Sequence, residues 1–165
     1  MQPEVYFAHG QEGAPDGIKI QRLRAIAERL GFRTHSPDYR HIEDPDARAD
    51  HLVELCKRGK RELVLAGSSA GAYVSAAASE RLRPDGLFLL APALGIPDFG
   101  RPDIKPHAPQ IELVHAWEDD VVAVDYVLAY ARRYKLKLHL LSGDHRLHEA
   151  MPEIEILFEN FLKKI

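Results

Sequence analysis

Short apolar runs alternate with amphipathic segments along the chain. Runs at 4–8, 32–36, 62–67, 86–91, 111–116 and 136–141 predict strands, and the segments at 17–30, 46–58, 70–82, 122–134 and 150–164 predict helices. In the first helical segment Leu23, Ile26, Ala27 and Leu30 share one face. In the last, Ile154, Leu157, Phe158, Phe161, Leu162 and Ile165 recur at helical spacing. Pro152 suits its first turn, and Lys163 and Lys164 suit its C-terminal end. Regular alternation of this kind predicts an α/β fold, a mostly parallel sheet of about six strands with helices on both faces. No repeat or low-complexity stretch interrupts it.

Residues 92–110 fit neither period. Pro92, Pro97, Pro102, Pro106 and Pro109 predict a stiffened loop, which serves either as a wall of a binding site or as a plain surface connection. The helix predicted over 70–82 is rich in Ala70, Ala72, Ala76, Ala77 and Ala78, short side chains that let a helix lie close to a sheet.

A length of 165 residues predicts a single domain spanning 1–165, with enough chain to bury a core. Hydrophobic residues at 45% and charged residues at 28%, with a net charge of −3, are ordinary for a globular protein. No basic stripe is visible, so nucleic acid is not an expected partner. The longest apolar runs are too short to cross a bilayer, and Met1 to Glu4 lead directly into the first strand without room for a signal peptide. Cys56 is the only cysteine, which excludes an internal disulfide and favours a cytoplasmic location. It shares a helical face with Ala49, Leu52 and Val53 and is expected to be buried. Nine histidines fall into no H-E-x-x-H or Cys/His cluster, so neither a metal nor a cofactor is expected.

Chemistry enters at Gly67-Ser68-Ser69-Ala70-Gly71. This G-x-S-x-G stands between a predicted strand and a predicted helix, the setting of a nucleophile elbow. Its glycines allow strand and helix to fold close together, and Ser69 would sit at a helix N-terminus that favours developing negative charge. A serine hydroxyl needs a base, and the base needs an orienting carboxylate. Two later loops follow predicted strands in the order acid, then histidine. The first contains Glu118, Asp119 and Asp120; the second contains Asp144, His145 and, three residues on, His148.

At these residues the chain resembles the α/β-hydrolase superfamily, in particular its small, single-domain bacterial esterases and dienelactone-hydrolase-like members. His115, Asp119 and Val122 match the superfamily's H-G-x-x-D-x-x-V-P acid loop, Gly143-Asp144-His145 its histidine loop, and Tyr6 to Gly10 its first strand and oxyanion loop. The resemblance implies a minimal α/β-hydrolase fold without a cap domain and a Ser69–His145–Asp119 triad. It also implies an oxyanion hole made by the backbone N–H groups of Ala70 and Gln11. Ala116 and Ala123 stand where the pattern has Gly and Pro, so Asp120 and Glu118 remain alternative carboxylates. His148 is expected to begin the last helix, and His115 and His9 to be structural. The implied activity is cleavage of a small-molecule ester or thioester through an acyl-enzyme, in a shallow site suited to short acyl chains. A low-turnover ligand-binding or protein-interaction module on the same fold is the alternative. A nucleotide-binding domain lacks its glycine motifs, and the oligomeric state is not legible.

Overall fold

A computed structural model describes residues 1–57 and 59–165. Among them, six strands and five helices follow one another as β1 (Glu4–Ala8), α1 (Ile18–Arg29), β2 (Arg33–His35), α2 (Pro45–Leu55), β3 (Leu63–Ser68), α3 (Ala70–Leu82), β4 (Gly86–Leu90), β5 (Gln110–Ala116), α4 (Val124–Tyr134), β6 (Lys137–Leu141) and α5 (Met151–Leu162). The expected second helix ended at 58, and that residue lies outside the described ones.

The strands form one sheet in the order β2-β1-β3-β4-β5-β6, every neighbouring pair parallel. Parallel pairing demands a crossover between neighbours, and the amphipathic helices supply it on both faces. Ile20, Leu23 and Ile26 of α1 and Ile154, Phe158 and Phe161 of α5 pack with Val5, Phe7, Val64 and Phe88 on one face. Ala49 and Leu52 of α2, the alanines of α3, and Tyr130 and Ala131 of α4 pack with Leu63, Leu65, Leu87 and Leu89 on the other. Alternate residues of each strand thus serve opposite layers, which is why the strands read as continuous apolar runs. Among the described residues no helix is long and apolar enough to cross a membrane.

Residues 91–109 contain no helix or strand, and no cap covers the sheet. The segment is fastened over α3 and α4. Tyr130 Oη donates to the Ile104 carbonyl at 2.7 Å, Tyr73 Oη accepts from the Arg101 amide at 2.9 Å, and Ser79 Oγ accepts from the His107 amide at 2.9 Å. Cys56 caps α2 and is buried.

The order of strands reverses direction between β1 and β3. Chain segments leave these two strands toward opposite edges, and their C-terminal ends border the crevice where ligands enter open α/β sheets.

Candidate active site

Ser69 links β3 to α3 with φ 57° and ψ −118°, a left-handed conformation that L-residues rarely hold. Its surroundings impose it. The Ser69 amide donates to the Leu90 carbonyl at 2.9 Å, and its carbonyl accepts from the Ala93 amide at 3.1 Å. The turn is so tight that a Cβ added to Gly67 would lie 2.2 Å from the Gly71 carbonyl oxygen. One added to Gly71 would lie 2.0 Å from the Ala8 carbonyl oxygen. Only glycine fits at either position, because the colliding atoms are backbone and cannot move aside. The first turn of α3 is therefore pressed against both β3 and the end of β1.

The acid and histidine loops converge on this serine. Asp119 Oδ1 accepts from the amides of Val121 and Val122, at 2.9 and 2.7 Å. Its other oxygen, Oδ2, lies 2.7 Å from His145 Nδ1, and His145 Nε2 lies 3.0 Å from Ser69 Oγ. An ionised carboxylate only accepts, so the hydrogen-bond network places a proton on Nδ1 and leaves the Nε2 lone pair facing the hydroxyl. The Asp119 side chain is fully buried, whereas Glu118 and Asp120 are exposed. Glu118 instead accepts from the Gly143 amide at 3.1 Å and ties the two loops together.

His115 is buried beneath Asp119, and its Nε2 donates to the Val122 carbonyl at 2.9 Å. Burial pushes its pKa down and holds the ring neutral, although Asp119 and the Val122 contact oppose the shift. His148 does not begin the last helix, as the sequence pattern suggested. α5 starts at Met151, and His148 stands in the preceding turn at the mouth of the site.

The remaining partner comes from the loop after β1. His9 Nε2 accepts from the Tyr39 amide at 2.9 Å, which leaves a proton on Nδ1 to donate to the Gly10 carbonyl at 2.8 Å. The Gly13 amide donates to the same carbonyl at 3.1 Å, and Arg48 Nη1 lies 3.5 Å from it. Three donors thus hold the Gly10 oxygen. In a trans peptide the next N–H points the opposite way, so the Gln11 amide is turned away from those donors. A Cβ on Gly10 would stand 3.4 Å from Ser69 Cβ, which puts this loop against the nucleophile candidate. The Ala70 amide is the first of α3, beside Ser69.

Arg48 escaped sequence reasoning. It is 1% exposed, donates from Nε to the Ile42 carbonyl at 2.7 Å and lies against the Tyr39 ring. The available signal was its position four residues before Leu52, on the apolar side of α2.

A cavity of about 480 Å³ opens over Ser69 and His145. Its walls are the loop after β1, the start of α1 and the turn from His145 to His148. The 92–110 segment contributes nothing to it. That corrects the expectation of a proline-rich wall: the segment is spent covering α3 and α4, on the other face of the sheet. Among the described residues no group of three or more His, Cys, Asp or Glu side chains is placed to hold a metal ion.

The whole architecture matches a crystal structure of an α/β-superfamily hydrolase from Xanthomonas campestris pv. campestris. The TM-score is 0.87 and the identity 30%, covering 99% of this chain and 100% of that one. The chain belongs to the α/β-hydrolase superfamily. Other solved structures align over nearly its full length at lower identity. Est1E from Butyrivibrio proteoclasticus gives a TM-score of 0.80 at 16% identity, with 99% of this chain and 88% of that chain covered. An α/β serine hydrolase without a lid from Xanthomonas campestris gives 0.73 at 20%, with coverages of 99% and 83%. These two show likeness of fold alone. No family model matches the sequence, and no curated protein does. Membership supports a hydrolase, and Ser69 stands at the centre of a G-x-S-x-G between β3 and α3.

Proposed function

We propose that this α/β hydrolase is a serine hydrolase of small carboxylic esters or thioesters, acting as a single catalytic domain over residues 1–165. The observation that carries the reading is the continuous chain Asp119 Oδ2, His145 Nδ1 and Nε2, Ser69 Oγ, at 2.7 and 3.0 Å. Nucleophile, base and orienting acid are each within hydrogen-bonding reach of the next.

His145 Nε2 takes the Ser69 proton as Oγ bonds to the acyl carbon. The carbonyl π pair moves onto oxygen, and the resulting oxyanion accepts from the Ala70 and Gln11 amides. Collapse of this intermediate expels the alkoxide or thiolate, which receives the proton from His145. Water then attacks the acyl-enzyme, gives its proton to His145, and Ser69 leaves with that proton as the acid product departs. Asp119 stays ionised throughout and stabilises the imidazolium. Without a cap the cavity is open to solvent, which suits short acyl chains. The single buried Cys56 fits a reducing compartment, and a cytoplasmic location is part of the proposal.

Fluorophosphonate labelling combined with multiple-turnover hydrolysis of an ester panel tests this reading. A single adduct on Ser69, with turnover abolished in Ser69→Ala, is the expected result. Tight ligand binding with neither labelling nor turnover would favour the binding-module alternative.

A further inference from the structure

The cavity over Ser69 has an uneven character. Ile18 and Val121 present exposed apolar surface at its rim, yet Lys19 and Arg146 also line it. The only Asp or Glu on the same walls is Glu12, which is exposed.

Lys19 is the more telling of the two cations. Lys19 also borders a small apolar void beneath α1, together with Phe7, Ile20, Leu23 and Leu90. The side chain is partly buried, and burial lowers its pKa against the pull of Asp119 and Asp144. Among the described residues no carboxylate lies within ion-pairing distance of it. Asp119 is already engaged by His145, Val121 and Val122, and Asp144 accepts from the Arg146 amide. Lys19 and Arg146 thus put two cations, without a close carboxylate partner among the described residues, on the wall of a cavity whose one acidic lining residue, Glu12, is exposed. Such a wall favours an entering anion.

We propose that Lys19, assisted by Arg146, forms a subsite for a carboxylate carried by the substrate, so that the preferred esters or thioesters are anionic. The proposal rests on the serine-hydrolase reading for its chemistry. The subsite itself is a statement about binding. It selects which ester enters, and the apolar rim at Ile18 and Val121 covers the part of the substrate between the reacting carbonyl and the charge.

Matched ester pairs test it. On the acyl side, 4-nitrophenyl hemiglutarate is compared with 4-nitrophenyl butyrate; on the leaving-group side, 4-acetoxybenzoate is compared with 4-methylphenyl acetate. The ratio of kcat/KM, anionic over neutral, is measured for the wild type, Lys19→Gln, Lys19→Arg and Lys19→Glu. In at least one pair the wild type should prefer the anionic ester. Lys19→Gln should lower that ratio by about tenfold or more, Lys19→Glu further, while Lys19→Arg retains it. Equal loss on both members of each pair would make Lys19 a support for Asp119 and overturn the subsite, as would a ratio unchanged in Lys19→Gln. Calorimetric titration of glutarate into Ser69→Ala, with and without Lys19→Gln, separates the two readings. Lys19-dependent glutarate binding without turnover of any ester would sink the serine-hydrolase reading and keep the subsite. Neutral-ester turnover without anion preference or glutarate binding would do the reverse.

Discussion

Arg48 Nη1 lies 3.5 Å from the carbonyl oxygen of Gly10, across 38 residues of sequence, and both belong to the same buried knot as His9 and Tyr39. The guanidinium is too long a contact to be a strong hydrogen bond, but its charge is desolvated and faces the oxygen whose peptide partner is the Gln11 amide. On the proposed mechanism Arg48 is thus a positioning residue for the loop that carries the Gln11 amide. Arg48→Met should lower kcat more than it raises KM, because the loop amide matters most when negative charge develops. It should also destabilise the fold by about 1–3 kcal/mol, since the Ile42 carbonyl loses its donor. Steady-state kinetics alongside urea denaturation check both; a pure KM effect would detach Arg48 from the oxyanion loop.

The backbone at Ser69 stores strain that glycine would release. Ser69→Ala and Ser69→Gly both remove Oγ and should both abolish turnover. Only the second relieves φ 57°, at some cost in chain entropy. Thermal denaturation should therefore find Ser69→Gly the more stable of the two by about 1 kcal/mol.

Asp119→Asn should reduce turnover by about a thousandfold or more. Its oxygen goes on accepting from the Val121 and Val122 amides while the new NH2 meets His145 Nδ1 as a donor. That favours the wrong tautomer and leaves no charge to stabilise an imidazolium. Asp120→Asn changes an exposed carboxylate and should leave kcat within about twofold of the wild type. A larger loss at Asp120 than at Asp119 would reverse the assignment of the acid.

Gly71→Ala places a methyl 2.0 Å from one backbone carbonyl oxygen and 2.7 Å from another, those of Ala8 and His9. Neither can yield without separating α3 from β1. The variant should lose about 4 kcal/mol or more, and expression as folded protein checks it.

His9 and His115 are both buried, and burial lowers the pKa of each below the ordinary 6.5. The unfolded chain therefore binds more protons than the folded one as pH falls below that value. Stability from these two groups is complete above pH 6.5 and declines as pH drops toward their folded-state values. Urea denaturation from about pH 7.5 to 5 should show falling stability, with a shallower slope in His115→Gln. An equal slope would mean that His115 takes up its proton as readily folded as unfolded.

Ser69 was legible because an elbow imposes glycine two residues to either side, and the collisions at Gly67 and Gly71 are the physical content of that spacing. Asp119 and His145 were legible because each follows a strand in a fixed order, and their distances to one another close the chain the pattern implied. Lys19 and Arg48 were not. Both lie on helices whose apolar periodicity records only which side faces the sheet, whereas their roles depend on how a neighbouring loop folds over them. The proline-rich 92–110 segment misled for a related reason. Proline content marks it as stiff and irregular, but tyrosines on α3 and α4, far away in sequence, decide which face it covers.

β6 is hydrogen-bonded on one side only, to β5, and the turn bearing His145 hangs from its end. The acid loop is stitched to that same strand end through the Trp117 amide to the Leu141 carbonyl, at 3.0 Å, and the Glu118 amide to the Gly143 carbonyl, at 3.2 Å. Fraying of a single border strand would therefore unhook the base from Ser69 while β1, β3 and β4 stay assembled. Hydrolysis should fade at denaturant concentrations where circular dichroism still reports a folded chain, and amide exchange at Leu140 and Leu141 should follow the loss of activity rather than the global melt. The two residues of the proposed reaction are thus anchored to unequal ground: Ser69 to the sheet's interior, His145 to its margin.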